Sequence, residues 1–215
     1  DGRTLLEVLD ETVIPPKPLS EKPLRCVVQD VYNLKGKTVI VCRVETGTLK
    51  IGERVVIMPT KEKRRVKRIE ASSIEMRHAV PGDPIGIVLD NPADLKRGYV
   101  LASSEENLKP TEEFTAELII FGDLTLKPHS QVRIRIGTAT INCTVERILE
   151  KINPVSLIVM SENTESLSNG EVGKVMFRPN DPVYVERYSD FPQLGRFVII
   201  GKRGTAAAGI ILDKK

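Results

Sequence analysis

The chain has 215 residues, 40% of them apolar and 28% charged, and a formal net charge of +3. That length allows one large domain or two of about 100 residues, and the composition excludes intrinsic disorder, which needs low hydrophobicity and high net charge. The small charge excess excludes a histone-like polycation, so any nucleic-acid contact must come from local patches; with aromatics at 4% and no Trp, a stacking platform for single strands is excluded as well.

Taken in chain order, Leu5 to Leu9 is the only stretch that reads as a short helix, ahead of Pro15-Pro16. Leu24–Val31 and Thr38–Val44 are apolar-rich strands, joined by a hairpin loop over Asn33–Lys37. Gly47 and Gly52 flank a turn at Thr48–Ile51; the strand Arg54–Met58 stops at Pro59. Ile85–Leu89 follows the turn Pro81-Gly82-Asp83-Pro84 and ends at Asn91-Pro92. The polar stretch Ser103–Glu113, with Pro110, reads as a linker. A second series begins at Phe114–Ile120, and Val132–Ile136 alternates strictly, apolar in and Arg out. Val155–Met160, Gly170–Phe177, Val183–Tyr188, Phe197–Ile200 and Ala206–Leu212 continue it. Short strands at this spacing predict an all-β chain of two consecutive antiparallel β-barrels. Residues 1–19 are expected to connect to something upstream, with barrels over 20–104 and 105–215.

No apolar run approaches the ~18 residues of a membrane span, and the start, Asp1-Gly2-Arg3-Thr4, is neither a signal peptide nor an initiator Met, so a fragment or processed product is expected. Cys26, Cys42 and Cys143 show no CxxC spacing, which argues against a disulfide framework and a zinc site and favours a reducing, cytoplasmic compartment. His78 and His129 have no ligand companions nearby, so no metal site is expected.

Enzyme signatures fail on inspection. Gly47 and Gly52 have the glycine spacing of a phosphate-binding loop, but Glu53 stands where Lys is required, between strands rather than before a helix. Glu105-Glu106 and Glu112-Glu113 sit in linker sequence and read as solvated surface, so no catalytic residue is expected. The run Lys61–Arg68 could neutralise several phosphates; the plainer reading is a solvated hairpin with Arg65 and Lys67 facing water.

Gln29-Asp30-Val31-Tyr32, Thr38-Val39 and Arg43-Val44-Glu45-Thr46-Gly47, followed by Pro81-Gly82-Asp83 and Leu95–Leu101, resemble the second domain of a translational GTPase. Tyr188–Phe197, with Phe191-Pro192-Gln193-Leu194-Gly195-Arg196, and then Gly204-Thr205 and Gly209-Ile210, resemble the third domain of the elongation factor 1-alpha branch. The resemblance implies two barrels without their GTPase domain, which would carry GTP and Mg²⁺ and pack on them. It implies a site for the aminoacyl end of tRNA at Gln29, Asp30 and Tyr32. For an acid that packs on the terminal adenine, Glu70 and Glu75 compete, and spacing from Pro81-Gly82-Asp83 selects Glu70. It places Arg97 near the tRNA 5′ phosphate, and Lys202 and Arg203 on the surface that meets the T arm. Ser72 and Pro84 depart from the elongation-factor pattern, replacing a His and an Asn, and fit relatives whose partner is a tRNA-shaped release factor. In that branch Arg196 lies on a strand that helps to bind the partner, although Ile200 and Gly201 stand where Arg and Asp usually follow. The resemblance therefore implies a macromolecule-binding module at the ribosome, in elongation, termination or rescue. Alternatives are the GTPase subunit of sulfate adenylyltransferase, suggested by Val66-Lys67-Arg68-Ile69 and the short Asn163–Glu171 stretch, and a generic β-barrel interaction protein.

Overall fold

A computed structural model describes the chain except residues 1, 14–18, 35–36, 73, 92 and 105. Of the positions discussed above, Asp1, Pro15-Pro16, Lys35-Gly36, Pro92 and Glu105 lie outside the described residues. The helix α1 spans Leu5–Thr12, started by a capping box in which Thr4 and Glu7 satisfy each other's backbone amides. A 3₁₀ turn at Leu19–Glu21 leads into β1 (Arg25–Leu34), β2 (Lys37–Thr46), β3 (Leu49–Lys50), β4 (Arg54–Met58), β5 (Glu62–Ala71), β6 (Ile74–Met76), β7 (His78–Ala79), β8 (Pro84–Leu89) and β9 (Val100–Ser103). Then follow β10 (Phe114–Ile120), β11 (Gln131–Ile136), β12 (Ala139–Ile152), β13 (Val159–Glu162), β14 (Val172–Pro179), the one-turn helix α2 (Pro192–Gly195), β15 (Arg196–Gly201) and β16 (Gly204–Lys214).

The strands form two closed antiparallel barrels. In the first, the order β4-β9-β1-β2-β8-β5 closes through β4–β5, with β6 added outside. In the second, β11-β15-β16-β10-β14-β12 closes through β11–β12, with β13 added. Closure removes the unpaired edges that a flat sheet would expose. Each barrel has its own apolar core, around Ile40, Ile57, Ile69 and Ile87 in the first and Phe114, Phe177, Phe197 and Ile134 in the second.

The structure departs from the sequence reading at several places. The Thr48–Ile51 turn contains β3, which pairs with β7. The longest strand, β12, is absent from the predicted series because bulges near Val145–Arg147 and Ile148–Glu150 break its alternation. Val155–Met160 is not one strand: its first half is a turn, and Val155 is 91% exposed. Val183–Tyr188 forms no strand, only a bridge from Val183 to Thr111; its Tyr184, Val185 and Glu186 are buried by packing, not by a ladder. Leu5–Leu9 is not the only helical stretch, since α2 turns the chain just before β15.

The two barrels are joined by a shared contact, with Val27, Val56, Met58, Val100 and Ala102 of the first meeting Tyr184 and Leu194 of the second. At its edge lies a buried ion cluster. Arg25, on β1 and 2% exposed, donates from Nε to Glu186 Oε1 at 2.9 Å and from its two Nη atoms to the Glu106 carboxylate at 2.8 and 3.0 Å. Its guanidinium lies 4.4 Å from the Phe191 ring centroid. Lys214 Nζ reaches Glu186 Oε2 at 2.8 Å, and the Tyr184 hydroxyl donates to the same carboxylate. The two cations and two carboxylates cancel. A second bracket lies nearby, where the Thr138 hydroxyl donates to Val28 O at 2.6 Å. There Gly98, at φ +93°, lets the backbones meet, since a Cβ at this position would stand 2.6 Å from Ala139 Cα.

Removing one partner leaves a buried charge uncompensated, so Arg25→Ala should lower the unfolding free energy by about 3–5 kcal/mol, read from urea titration. Burial alone would raise the Glu186 pKa, but Lys214, Tyr184 and Arg25 together hold it below the ordinary glutamate value. Its contribution is therefore complete above the unfolded value, about 4.3, and is lost as pH falls through the lower folded value. Acid titration of stability should show this loss, and Glu186→Gln should flatten that part of the curve.

Candidate macromolecule-binding face

The outer face of the first barrel brings three of the expected residues together. Register places Glu70 opposite Gly86, Gly86 opposite Val41, and Val41 opposite Asp30, one row across β5, β8, β2 and β1. In the next row Tyr32 pairs with Val39. Gly86 lets its neighbours pack closely here. A Cβ there would lie 3.2 Å from both Glu70 Cγ and Val39 Cγ1, so the acid and the apolar side chain close over this glycine. Tyr32 is 49% exposed beside it.

Glu70 and Glu75, the two competing acids, lie side by side. The two acids are cross-strand partners, and Arg68 faces both, with Nη2 2.9 Å from Glu70 Oε2 and Nε 3.6 Å from Glu75 Oε2. Only Glu70 is placed against Gly86. Gly86, Val39 and Arg68 were not among the expected site residues. A signal existed: Val66 and Ile69, both buried, are three apart, an odd spacing that marks the bulge between Val66 and Arg68 and turns Arg68 and Glu70 outward.

Asp30 accepts from the Val31 amide at 2.9 Å. Its carboxyl is held below the usual range first by the Tyr32 hydroxyl, then by that amide, with a smaller pull from Arg97; the Asp30 carboxylate in turn pushes the Tyr32 phenol up.

Arg97, Gln29 and Arg196 fall elsewhere, around the junction of the barrels. Arg97 donates from Nη1 to Gln29 O at 2.9 Å and from Nε to Thr138 O at 3.1 Å, so it fastens β1 to the β11–β12 turn while its side chain stays exposed. Gln29 and Arg196 line an open groove of about 940 Å³ with Arg43, Arg135 and Glu45. Glu45 is half-buried, and its desolvation outweighs Arg43 and Arg196 and raises its pKa. Lys202 and Arg203 are exposed in the β15–β16 turn. In the basic run, Lys63, Arg65 and Lys67 face water, while Arg64 pairs with Glu62 and Arg65 also reaches Gly52 O at 3.1 Å.

Each barrel matches a known domain. Residues 37–102 fit the sequence profile of "Elongation factor Tu domain 2", and residues 113–212 that of "GTP-eEF1A C-terminal domain-like". The chain is an elongation factor 1-alpha-type pair of β-barrel domains. It is 38% identical to the elongation factors 1-alpha of Thermofilum pendens and Saccharolobus solfataricus, over all of its length and 50% of theirs. It thus spans about half the length of these curated relatives. Its fold resembles that of Sup35 solved with GDP, with TM-score 0.84 and 22% identity over 99% of this chain and 52% of that one. These matches give the sulfate-activation reading no support. Among the described residues, no helix is long and apolar enough to cross a membrane.

Because the neighbouring Asp30 carboxylate disfavours the phenolate, the Tyr32 phenol should titrate above the ordinary value of about 10, and Asp30→Asn should return it towards that value. NMR titration of labelled tyrosine reads this directly; an unchanged Tyr32 midpoint in the variant would show that Asp30 does not act on the hydroxyl in solution.

Proposed function

We propose that the first barrel holds the aminoacyl end of tRNA, on behalf of a GTPase domain upstream, in cytoplasmic translation on the ribosome. The observation that carries this reading is the group of side chains around Gly86. It offers an apolar surface from Val39, a carboxylate from Glu70 that can accept from a ribose hydroxyl, and an exposed Tyr32 ring at its side. Arg97, Arg196, Lys202 and Arg203 would meet phosphates at the junction and on the second barrel, each phosphate contact adding to the salt dependence. Nucleotide chemistry with GTP and Mg²⁺ would belong to the upstream domain, as expected of relatives twice this length.

A second reading replaces tRNA with a tRNA-shaped release factor. It is favoured by Pro84, which opens β8 opposite Arg43 and brings neither an amide side chain nor an N–H to the rim.

Fluorescence titration with aminoacyl-tRNA tests the proposal. Affinity should fall steeply with salt, and Glu70→Ala and Tyr32→Ala should each weaken binding about tenfold, the effect of losing roughly 1.4 kcal/mol. Gly86→Val, which displaces Glu70 and Val39, should abolish end-specific binding while leaving the salt-dependent remainder. Binding indifferent to all three variants would overturn the assignment of this face. Tight capture of a release factor with no tRNA affinity would favour the second reading.

A further inference from the structure

Cys26 on β1 and Cys42 on β2 are both fully buried in the core of the first barrel and are free thiols. Register pairs Cys26 with Val44 and Val28 with Cys42, so the two cysteines are diagonal neighbours on the inward face of one hairpin. The Cys26 S–H donates to Cys42 Sγ across 2.8 Å. A formed disulfide needs a sulfur separation of about 2.05 Å, so the two sulfurs themselves have less than an ångström to close.

We propose that Cys26 and Cys42 are a redox-modification site, closed to an intramolecular disulfide by a peroxide-class oxidant. One thiol sulfur attacks a peroxide oxygen, the O–O bond breaks, and a sulfenic acid and one water result. The second sulfur then displaces the hydroxyl as water and the Sγ–Sγ bond forms. Two thiols lose two electrons and two protons, and one hydrogen peroxide becomes two waters. The cross-link falls at a sensitive place. Arg25, next to Cys26, carries the ion cluster between the barrels, and the carbonyls of Val28 and Gln29 accept the Thr138 and Arg97 brackets. Arg43, next to Cys42, lines the groove at the junction. Closure would fix the strand that carries these anchors to the strand that lines the groove.

Cys143 supplies an internal control. It is buried alone in the second barrel; burial pushes its thiol up to about 12 and raises that of Cys26 well above the usual range too, so the control differs in its isolation and not in its acidity. The folded chain is treated with hydrogen peroxide, quenched, unfolded in guanidinium with N-ethylmaleimide, and weighed by mass spectrometry. The expected product carries one maleimide, on Cys143, and has lost two hydrogens; dithiothreitol before labelling restores three maleimides. Cys143→Ser should leave closure intact, and Cys42→Ser should abolish it. Three maleimides after peroxide, added oxygen on Cys26 or Cys42 without a cross-link, or an intermolecular bond through Cys143 would each overturn the proposal.

Discussion

The arrangement of this molecule depends on one buried guanidinium. Arg25 sits among the buried apolar residues Leu24, Cys26, Val27 and Val28 and is stripped of water, which costs several kcal/mol unless every donor finds a partner. Those partners come from three places: the Leu24 carbonyl beside it, Glu106 in the linker, and Glu186 in the second barrel. The charge can be satisfied only when both barrels and the linker are in position. Apolar contact at the same junction, around Val27, Met58 and Leu194, is non-directional and would tolerate sliding. The ion cluster has direction, and it turns a greasy contact into a defined angle.

Strand β1 transmits that constraint. Along a few residues it supplies Arg25 to the cluster, Cys26 and Val28 to the core, Val27 to the junction, carbonyls of Val28 and Gln29 to the Thr138 and Arg97 brackets, and Asp30 and Tyr32 to the outer face. The face around Gly86 and the arginine-lined groove are thus linked through one strand that contributes to both, and not by a flexible linker. A long ligand touching both would meet a fixed spacing, which suits a macromolecule of defined shape.

Much of the fold was legible from sequence where local and global demands agree. β11 alternates cleanly because one face meets the core and the other meets water. Legibility failed where an element serves two neighbours. β12 turns through bulges to pair with β11, β13 and β14, and its apolar period is lost. Tyr184–Glu186 sits in a run that looks like a strand, but Tyr184 packs on the first barrel while Val185 fills the core of the second. Val155–Met160 looks like one because it is apolar, yet it lies at an exposed hairpin tip. At the candidate face, spacing selected Glu70 and the structure sets it against Gly86. Arg97 carries backbone brackets that no motif announces, and Arg25 passed unnoticed although an arginine between Leu24 and Cys26 in an apolar strand is itself a sign of a buried partner.

The central claim is that the two barrels behave as one body. Differential scanning calorimetry tests it most directly. The account predicts a single transition whose calorimetric and van 't Hoff enthalpies agree, because neither barrel can unfold without exposing the ion cluster. Two resolved transitions, one for each barrel, would contradict it.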